Sequence, residues 1–192
     1  MKFISHLART VFFVQVFMVT LSACNGAQSK TVTQNSKVMT DKQHPANPYY
    51  SRTDTTSLTL SDAVWKEVLS PELYEVARHG STEQAFSGKY WDYEGRGSYH
   101  CAACGNRLFR SDAKFVTTCG WPSFFEAVRP NSVLYRKDSS FGMERTEVVC
   151  GRCKAHLGHV FDDGPPPTGK RFCMNSIALE FDQDKASPKK RP

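Results

Sequence analysis

A mainly β fold around one core, led in by short helices and clipped by a metal, is what this sequence predicts. Three observations carry that prediction. From residue 99 to residue 181 the chain reads as short strand-like runs cut by Gly- and Pro-rich turns. Helical spacing of apolar residues is confined to a stretch just before it. Two matched Cys-x-x-Cys pairs, 45 residues apart, each sit beside a strand candidate.

Composition sets the frame. A chain of 192 residues holds one domain with extensions rather than two full cores. With 40% hydrophobic and 12% aromatic residues it can bury a real core, which excludes wholesale disorder. No apolar run reaches the roughly 18 residues of a spanning helix. The net charge of +6 is a weak argument for nucleic acid, because its densest piece is the tail from Lys185 to Pro192, which has no aromatics between its charges. No nucleic-acid partner is expected.

Residues 1–23 read as an export signal. Lys2 and Arg9 form a basic start, Val11 to Leu21 is apolar, and Ser22-Ala23 precede Cys24. Leu21-Ser22-Ala23-Cys24 resembles a bacterial lipobox, in which Cys24 becomes the lipidated first residue of an exported, membrane-anchored lipoprotein of a bacterial cell envelope. In an envelope with two membranes this places the protein on the periplasmic side. Ordinary secretion with an incidental Cys24 is the competing reading. Taking Lys2 and Arg9 from the +6 leaves +4 on the mature chain. Residues 24–57, rich in Gln, Asn, Ser and Thr without periodicity, read as the lipidated end and a flexible tether.

The domain is expected over 58–182, with 183–192 a basic tail. Ser61 suits an N-cap for a helix carrying Ala63, Val64, Trp65, Val68 and Leu69. Ser70-Pro71-Glu72 starts a second helix, Leu73 to Arg78, that His79-Gly80 ends. Val133 to Tyr135, Glu147 to Val149 and Ser176 to Phe181 are the clearest strands. Gly164-Pro165-Pro166-Pro167-Thr168-Gly169 is a rigid surface loop.

Seven cysteines must then be assigned. Cys101, Cys104, Cys150 and Cys153 form two knuckles whose tight turns aim four thiolates at one ion, a tetrahedral site suited to structural Zn2+. Such a closed site leaves no position for substrate, so the metal would hold the fold and perform no chemistry. Two disulfides are the alternative in an oxidising location.

Setting Cys24 and these four aside leaves Cys119 and Cys173. Alternation along one strand would put Arg171, Cys173, Asn175, Ile177 and Leu179 on a common face, with the thiol where an apolar core meets a polar mouth. His156-Leu157-Gly158-His159 supplies two imidazoles, which converge only if Gly158 bends or bulges the strand. The blander readings are further metal ligands for the histidines, core packing for Trp121-Pro122 and an inert buried thiol for Cys173.

The ordered motifs together resemble the B-type peptide methionine sulfoxide reductases, zinc-containing branch, over Trp65 to Phe181. The resemblance rests on Gly80, Phe86 and Gly88, on Cys101-Ala-Ala-Cys104-Gly105 with Leu108-Phe109, and on Lys114-Phe115 with Cys119-Gly-Trp-Pro-Ser-Phe124. It continues through Gly142-Met143, Cys150-Gly-Arg-Cys153-Lys-Ala-His156-Leu-Gly-His159-Val-Phe161, the Asp163-to-Gly169 turn and Arg171-Phe-Cys-Met-Asn-Ser176. It implies two small antiparallel sheets of Mss4-like, zinc-ribbon-like type. It also implies reduction of the R epimer of methionine sulfoxide in oxidised proteins, with no organic cofactor and electrons from a thioredoxin-like protein. A monomer is expected.

By that resemblance Cys173 is the nucleophile that becomes a sulfenic acid, and Cys119 is the resolving cysteine that closes a disulfide with it. Trp121 packs on the substrate's S-methyl. His159 is on the proton-donating side of the sulfoxide, assisted by His156 and Asn175. The four knuckle cysteines are the zinc ligands. Two departures are Thr117-Thr118, where many members have Ser-Gly, and Phe172, where many have Tyr, which removes a hydroxyl next to the nucleophile. A zinc-scaffolded binding module explains the four ligands but not Cys119, Cys173 and the Trp121 segment. A general thiol-disulfide oxidoreductase would use one Cys-x-x-Cys as its redox pair.

Overall fold

A computed structural model describes His44 and residues 46–185, and the expectations for the signal segment and Cys24 lie outside the described residues. Helices α1 (Asp62–Val68) and α2 (Pro71–His79) come first. Ser61 precedes α1 but its side chain makes no capping bond. Ser70 does cap α2, its hydroxyl accepting from the Leu73 N–H at 3.3 Å. Gly80 closes α2 at φ 71°, a left-handed conformation that glycine adopts without steric cost.

Nine strands follow: β1 (Gly97–Cys101), β2 (Arg107–Arg110), β3 (Lys114–Phe115), β4 (Ser123–Phe124), β5 (Val133–Asp138), β6 (Arg145–Cys150), β7 (His156–Phe161), β8 (Arg171–Met174) and β9 (Leu179–Gln183). They make two sheets, β2-β1-β9 and β3-β4-β8-β7-β6-β5, and every pairing is antiparallel. The mainly β expectation with two antiparallel sheets and a helical lead-in therefore holds. The core between them is aromatic. Phe109 stacks on Phe124 with centroids 4.4 Å apart, and Tyr99 meets Phe124 edge-on at 5.0 Å.

The strand expected over Ser176 to Phe181 is corrected. Residues Ser176–Ala178 form a 3-10 turn, and the strand starts only at Leu179. The Glu83 carboxylate causes this break, accepting the N–H groups of Ser176 at 2.6 Å and Ile177 at 3.0 Å. The chain thus leaves the six-stranded sheet after Cys173 and enters the three-stranded one. Common-face alternation from Arg171 to Leu179 does not apply past Met174.

The tether reading is also corrected over its last residues. Tyr50 is fully buried, Asn47 donates to the Ala103 carbonyl at 2.9 Å, and the Ser51 N–H donates to the Cys104 carbonyl at 3.0 Å. Residues 46–57 form a strap across the knuckles, held by buried Arg152. Its guanidinium donates to the carbonyls of Tyr49 (2.9 Å) and Cys104 (2.5 Å), and to Asp54 at 2.7 Å. Composition conceals this because the strap is held by hydrogen bonds and one tyrosine rather than by an apolar stripe. At the other end, Asp184 pairs with Arg110 at 2.7 Å, so ordered contacts continue into the expected tail.

Candidate active site and metal centre

Strand register builds the site. Ser123 on β4 opposes Cys173 on β8, Cys173 opposes His159 on β7, and His159 opposes Glu147 on β6. Directly opposed residues project to the same face, so these four side chains form one rung across the sheet. His156 joins them through a bulge. The register shifts between Val148 and Val149, and Gly158 opposes Val148 at φ 153°. A Cβ at Gly158 would lie 2.1 Å from the Cys173 carbonyl oxygen, so glycine is required where β7 crosses β8. The two imidazole centroids are 5.4 Å apart.

A cleft of about 120 Å³ opens above this rung, lined by Trp121, Arg145, His159, Phe161, Cys173 and Asn175 among others. A larger cavity, about 780 Å³, lies elsewhere, against α1, α2 and β9, and no cysteine lines it. Chemistry, not volume, therefore places the site at the small cleft. Trp121 is fixed there by its Nε1–H donating to the Glu83 carbonyl at 3.2 Å. Asn175 is buried, and its amide is engaged with backbone: Oδ1 accepts from Glu83 N–H at 3.0 Å and Nδ2 donates to the Leu157 carbonyl at 3.2 Å.

The two remaining thiols are brought together. Cys119 Sγ lies 3.8 Å from Cys173 Sγ, in the loop between β3 and β4. Burial pushes the Cys173 thiol up to about 12, with the neighbouring Cys119 adding to the effect and Arg171 opposing it. Cys119 moves the other way. Burial raises it, but contacts with Thr117 Oγ1 at 3.0 Å, the Trp121 backbone and Ser123 Oγ at 3.6 Å outweigh this and hold it below the ordinary thiol value. Thr117 thus keeps beside Cys119 the hydroxyl that a Ser at this position would supply. The Phe172 departure is corrected: Phe172 points to the opposite face from Cys173, packed on Phe109 at 5.6 Å, so no hydroxyl is lost at the thiol.

Each histidine has a carboxylate that the sequence alone did not single out. His159 Nε2 lies 2.7 Å from Asp138 Oδ2, and His156 Nδ1 lies 2.8 Å from Glu147 Oε1. Burial outweighs the Asp138 carboxylate and leaves His159 below the ordinary histidine value, and Arg145 pushes in the same direction. His156 is buried behind the cleft and does not line it. Only strand register shows these pairs, and the sequence signal, Glu147 among β6 residues of alternating character, is too common to find them.

The knuckle cysteines form a compact buried group with all four sulfurs within 4.8 Å of one another. Cys101 and Cys153 are 3.7 Å apart, Cys104 and Cys150 3.6 Å. A tetrahedron with metal–sulfur bonds of about 2.3 Å has edges of about 3.8 Å, whereas a disulfide needs about 2.05 Å. The geometry fits a four-thiolate metal site such as zinc and not two disulfides. Contacts with Cys104 and the other thiols hold Cys101 well above its ordinary value, a crowding that a divalent cation would relieve. Asn106 Nδ2 donates to Cys150 Sγ at 3.5 Å, and Arg129 holds Asn106 Oδ1 at 2.6 Å, an outer layer of the kind that orients metal ligands. Neither His156 nor His159 belongs to this group.

The SelR domain profile matches residues 69–183, more than half of the chain. The chain belongs to the SelR-domain family. The chain is 53% identical over 128 residues to the peptide methionine sulfoxide reductase MsrB of Herminiimonas arsenicoxydans, covering 67% of this chain and 93% of that protein. It is 55% identical over 127 residues to the protein of the same name from Thiobacillus denitrificans, covering 66% and 96%. The protein of that name from Methanosarcina barkeri is 52% identical over 121 residues, covering 63% and 85%. The SelR match begins at Leu69, so the strap and α1 lie outside it.

Proposed function

We propose that this chain reduces methionine-R-sulfoxide in oxidised proteins to methionine. The observation that carries the reading is the 3.8 Å approach of Cys119 and Cys173 at the edge of a cleft walled by Trp121 and His159. The relatives named peptide methionine sulfoxide reductase MsrB support it. Cys173 Sγ attacks the sulfoxide sulfur, the oxygen passes to Cys173 as a sulfenic acid, and methionine leaves. The thiol sulfur loses two electrons and the sulfoxide sulfur gains them. Cys119 then displaces the hydroxyl of the sulfenic acid as water, forming the Cys119–Cys173 disulfide. An external thioredoxin-like dithiol reduces that bond. Trp121 grips the S-methyl, so only one arrangement around the chiral sulfur presents its oxygen to the His159 side.

Zinc on the four knuckle cysteines would tie β1 to β6 and the strap to both, a structural part with no open position for substrate. Through a lipid on Cys24 the enzyme would be held at an envelope membrane, acting as a monomer on exported proteins. Cys24→Ser should then move it from the membrane fraction to the soluble exported fraction with activity unchanged.

Disulfide mapping by mass spectrometry after one turnover with a sulfoxide peptide tests the reaction. A 119–173 bond is expected. A bond within one knuckle would favour the general oxidoreductase, and no bond a binding module.

A further inference from the structure

The carboxylate of Asp138 is held from three sides. Oδ2 takes the His159 ring at 2.7 Å and Arg145 Nη2 at 2.7 Å, while Oδ1 accepts the Ser140 N–H at 2.9 Å. Asp138 ends β5 and Arg145, its cross-strand partner, begins β6, so the acid is pinned at the mouth of a hairpin. Hydrogen bonds from Ser140 lead the interactions that keep this carboxyl well below the usual carboxylate range. It is therefore ionised and can only accept, which puts the ring proton of His159 on Nε2. Nδ1 is then the unprotonated nitrogen. His159 and Cys173 are directly opposed on β7 and β8 and both line the cleft, which places their Cβ atoms about 4.5–5.5 Å apart.

We infer that Asp138 is a positioning residue that locks His159 in the Nε2–H tautomer, so that His159 Nδ1 carries the Cys173 proton to the sulfoxide oxygen. The inference rests on the reductase reading of the cleft. It assigns the starting state as thiol plus neutral imidazole rather than thiolate plus imidazolium. Both partners fit: burial keeps the proton on Cys173 and keeps His159 neutral. The groups facing His159 are Asp138 and Arg145 at the hairpin mouth, His156 on its own strand, Glu147 on β6 and Cys173 on β8.

The proton moves from Cys173 Sγ to His159 Nδ1 as Sγ attacks the sulfoxide sulfur. The imidazolium so formed sits against the ionised Asp138. It gives the proton to the sulfoxide oxygen, which ends on Cys173 as the hydroxyl of the sulfenic acid while methionine departs. No proton is taken from solvent and no further reactant is needed. Glu147 and His156 form a similar pair, but His156 is buried behind the cleft and cannot take this role.

Two measurements on the full chain with its metal test this. In the wild-type protein, nitrogen-15 NMR of His159 at neutral pH should show Nε2 protonated and Nδ1 bare, and a proton on Nδ1 overturns the inference. In single-turnover kinetics with a methionine-R-sulfoxide peptide, Asp138→Asn should slow methionine release about 10²–10⁴-fold, the range that a positioned acid–base group supplies. KM, melting temperature and metal content should change little, and Asp138→Glu should restore part of the rate. A rate within twofold of wild type for Asp138→Asn also overturns it. If Asp138→Asn fails to fold, the wild-type tautomer decides. A wild-type protein that leaves the R-sulfoxide intact overturns the reductase reading and this inference together.

Discussion

Cys119 and Cys173 face each other at 3.8 Å with opposite acidities: Cys119 lies below the ordinary thiol value, while Cys173 is pushed up to about 12. The asymmetry suits a two-step reaction. In the proposed mechanism the attacking sulfur would keep its proton until substrate fills the cleft, and the resolving sulfur, held below the ordinary thiol value, would lose its proton more readily once a sulfenic acid has formed.

Alkylation should report this order. A thiol with a lowered pKa carries more thiolate at any given pH, and only the thiolate reacts. In the resting reduced protein at about pH 8, iodoacetamide should modify Cys119 before Cys173. Reactivity at Cys173 should rise only as pH climbs toward its shifted value. Peptide mass mapping of a time course checks this, and earlier labelling of Cys173 would reverse the assigned acidities.

The two cysteines should also separate by mutation. Cys173→Ser should abolish methionine formation. Cys119→Ser should release about one methionine per enzyme in a burst and then stall with a thioredoxin-like donor, because the sulfenic acid cannot be resolved. Quantifying burst amplitude decides, and equal loss of the burst in both variants would contradict the roles.

Replacing Cys101 or Cys153 by Ser should release the metal and unfold the domain. Structural zinc binding is worth about 10–16 kcal/mol in small zinc modules, comparable to the roughly 5–15 kcal/mol that holds a whole domain together. Metal analysis with thermal melting reads the outcome. The strap should become protease-sensitive in the same variants, since Arg152 ties it to the Cys104 carbonyl. A metal-free variant with unchanged melting would refute the structural role.

Gly158→Ala should damage the site without touching any reacting group. Its Cβ would meet the Cys173 carbonyl oxygen at 2.1 Å, forcing β7 away from β8. Overpacking of this kind costs about 1–3 kcal/mol. Because the displaced strands carry His159 and Cys173, the single-turnover rate should fall far more than binding. Wild-type kinetics in this variant would show that the bulge does not set the geometry.

Residue types and spacing made the four-cysteine group readable and left Cys119 and Cys173 over, and the family resemblance is what implied that these two form a pair. Both helices were readable too, α1 through the apolar spacing of Ala63, Val64, Val68 and Leu69 around Trp65, and α2 through Ser70, Pro71 and Gly80. The Asp138 and Glu147 partners were not, since a carboxylate's role depends on which strand lies opposite, and register is fixed by long-range pairing. The 3-10 turn at Ser176 was hidden for a similar reason. Its cause, Glu83, is 93 residues away in sequence. The strap escaped notice because polar residues such as Asn47 and Arg152 hold it, and composition reads them as solvated.

The most direct test of the central claim is turnover of a peptide carrying both epimers of methionine sulfoxide, with a dithiol reductant and chiral separation of what remains. The R epimer should be consumed and the S epimer left. Consumption of the S epimer alone, or of neither, would contradict the claim.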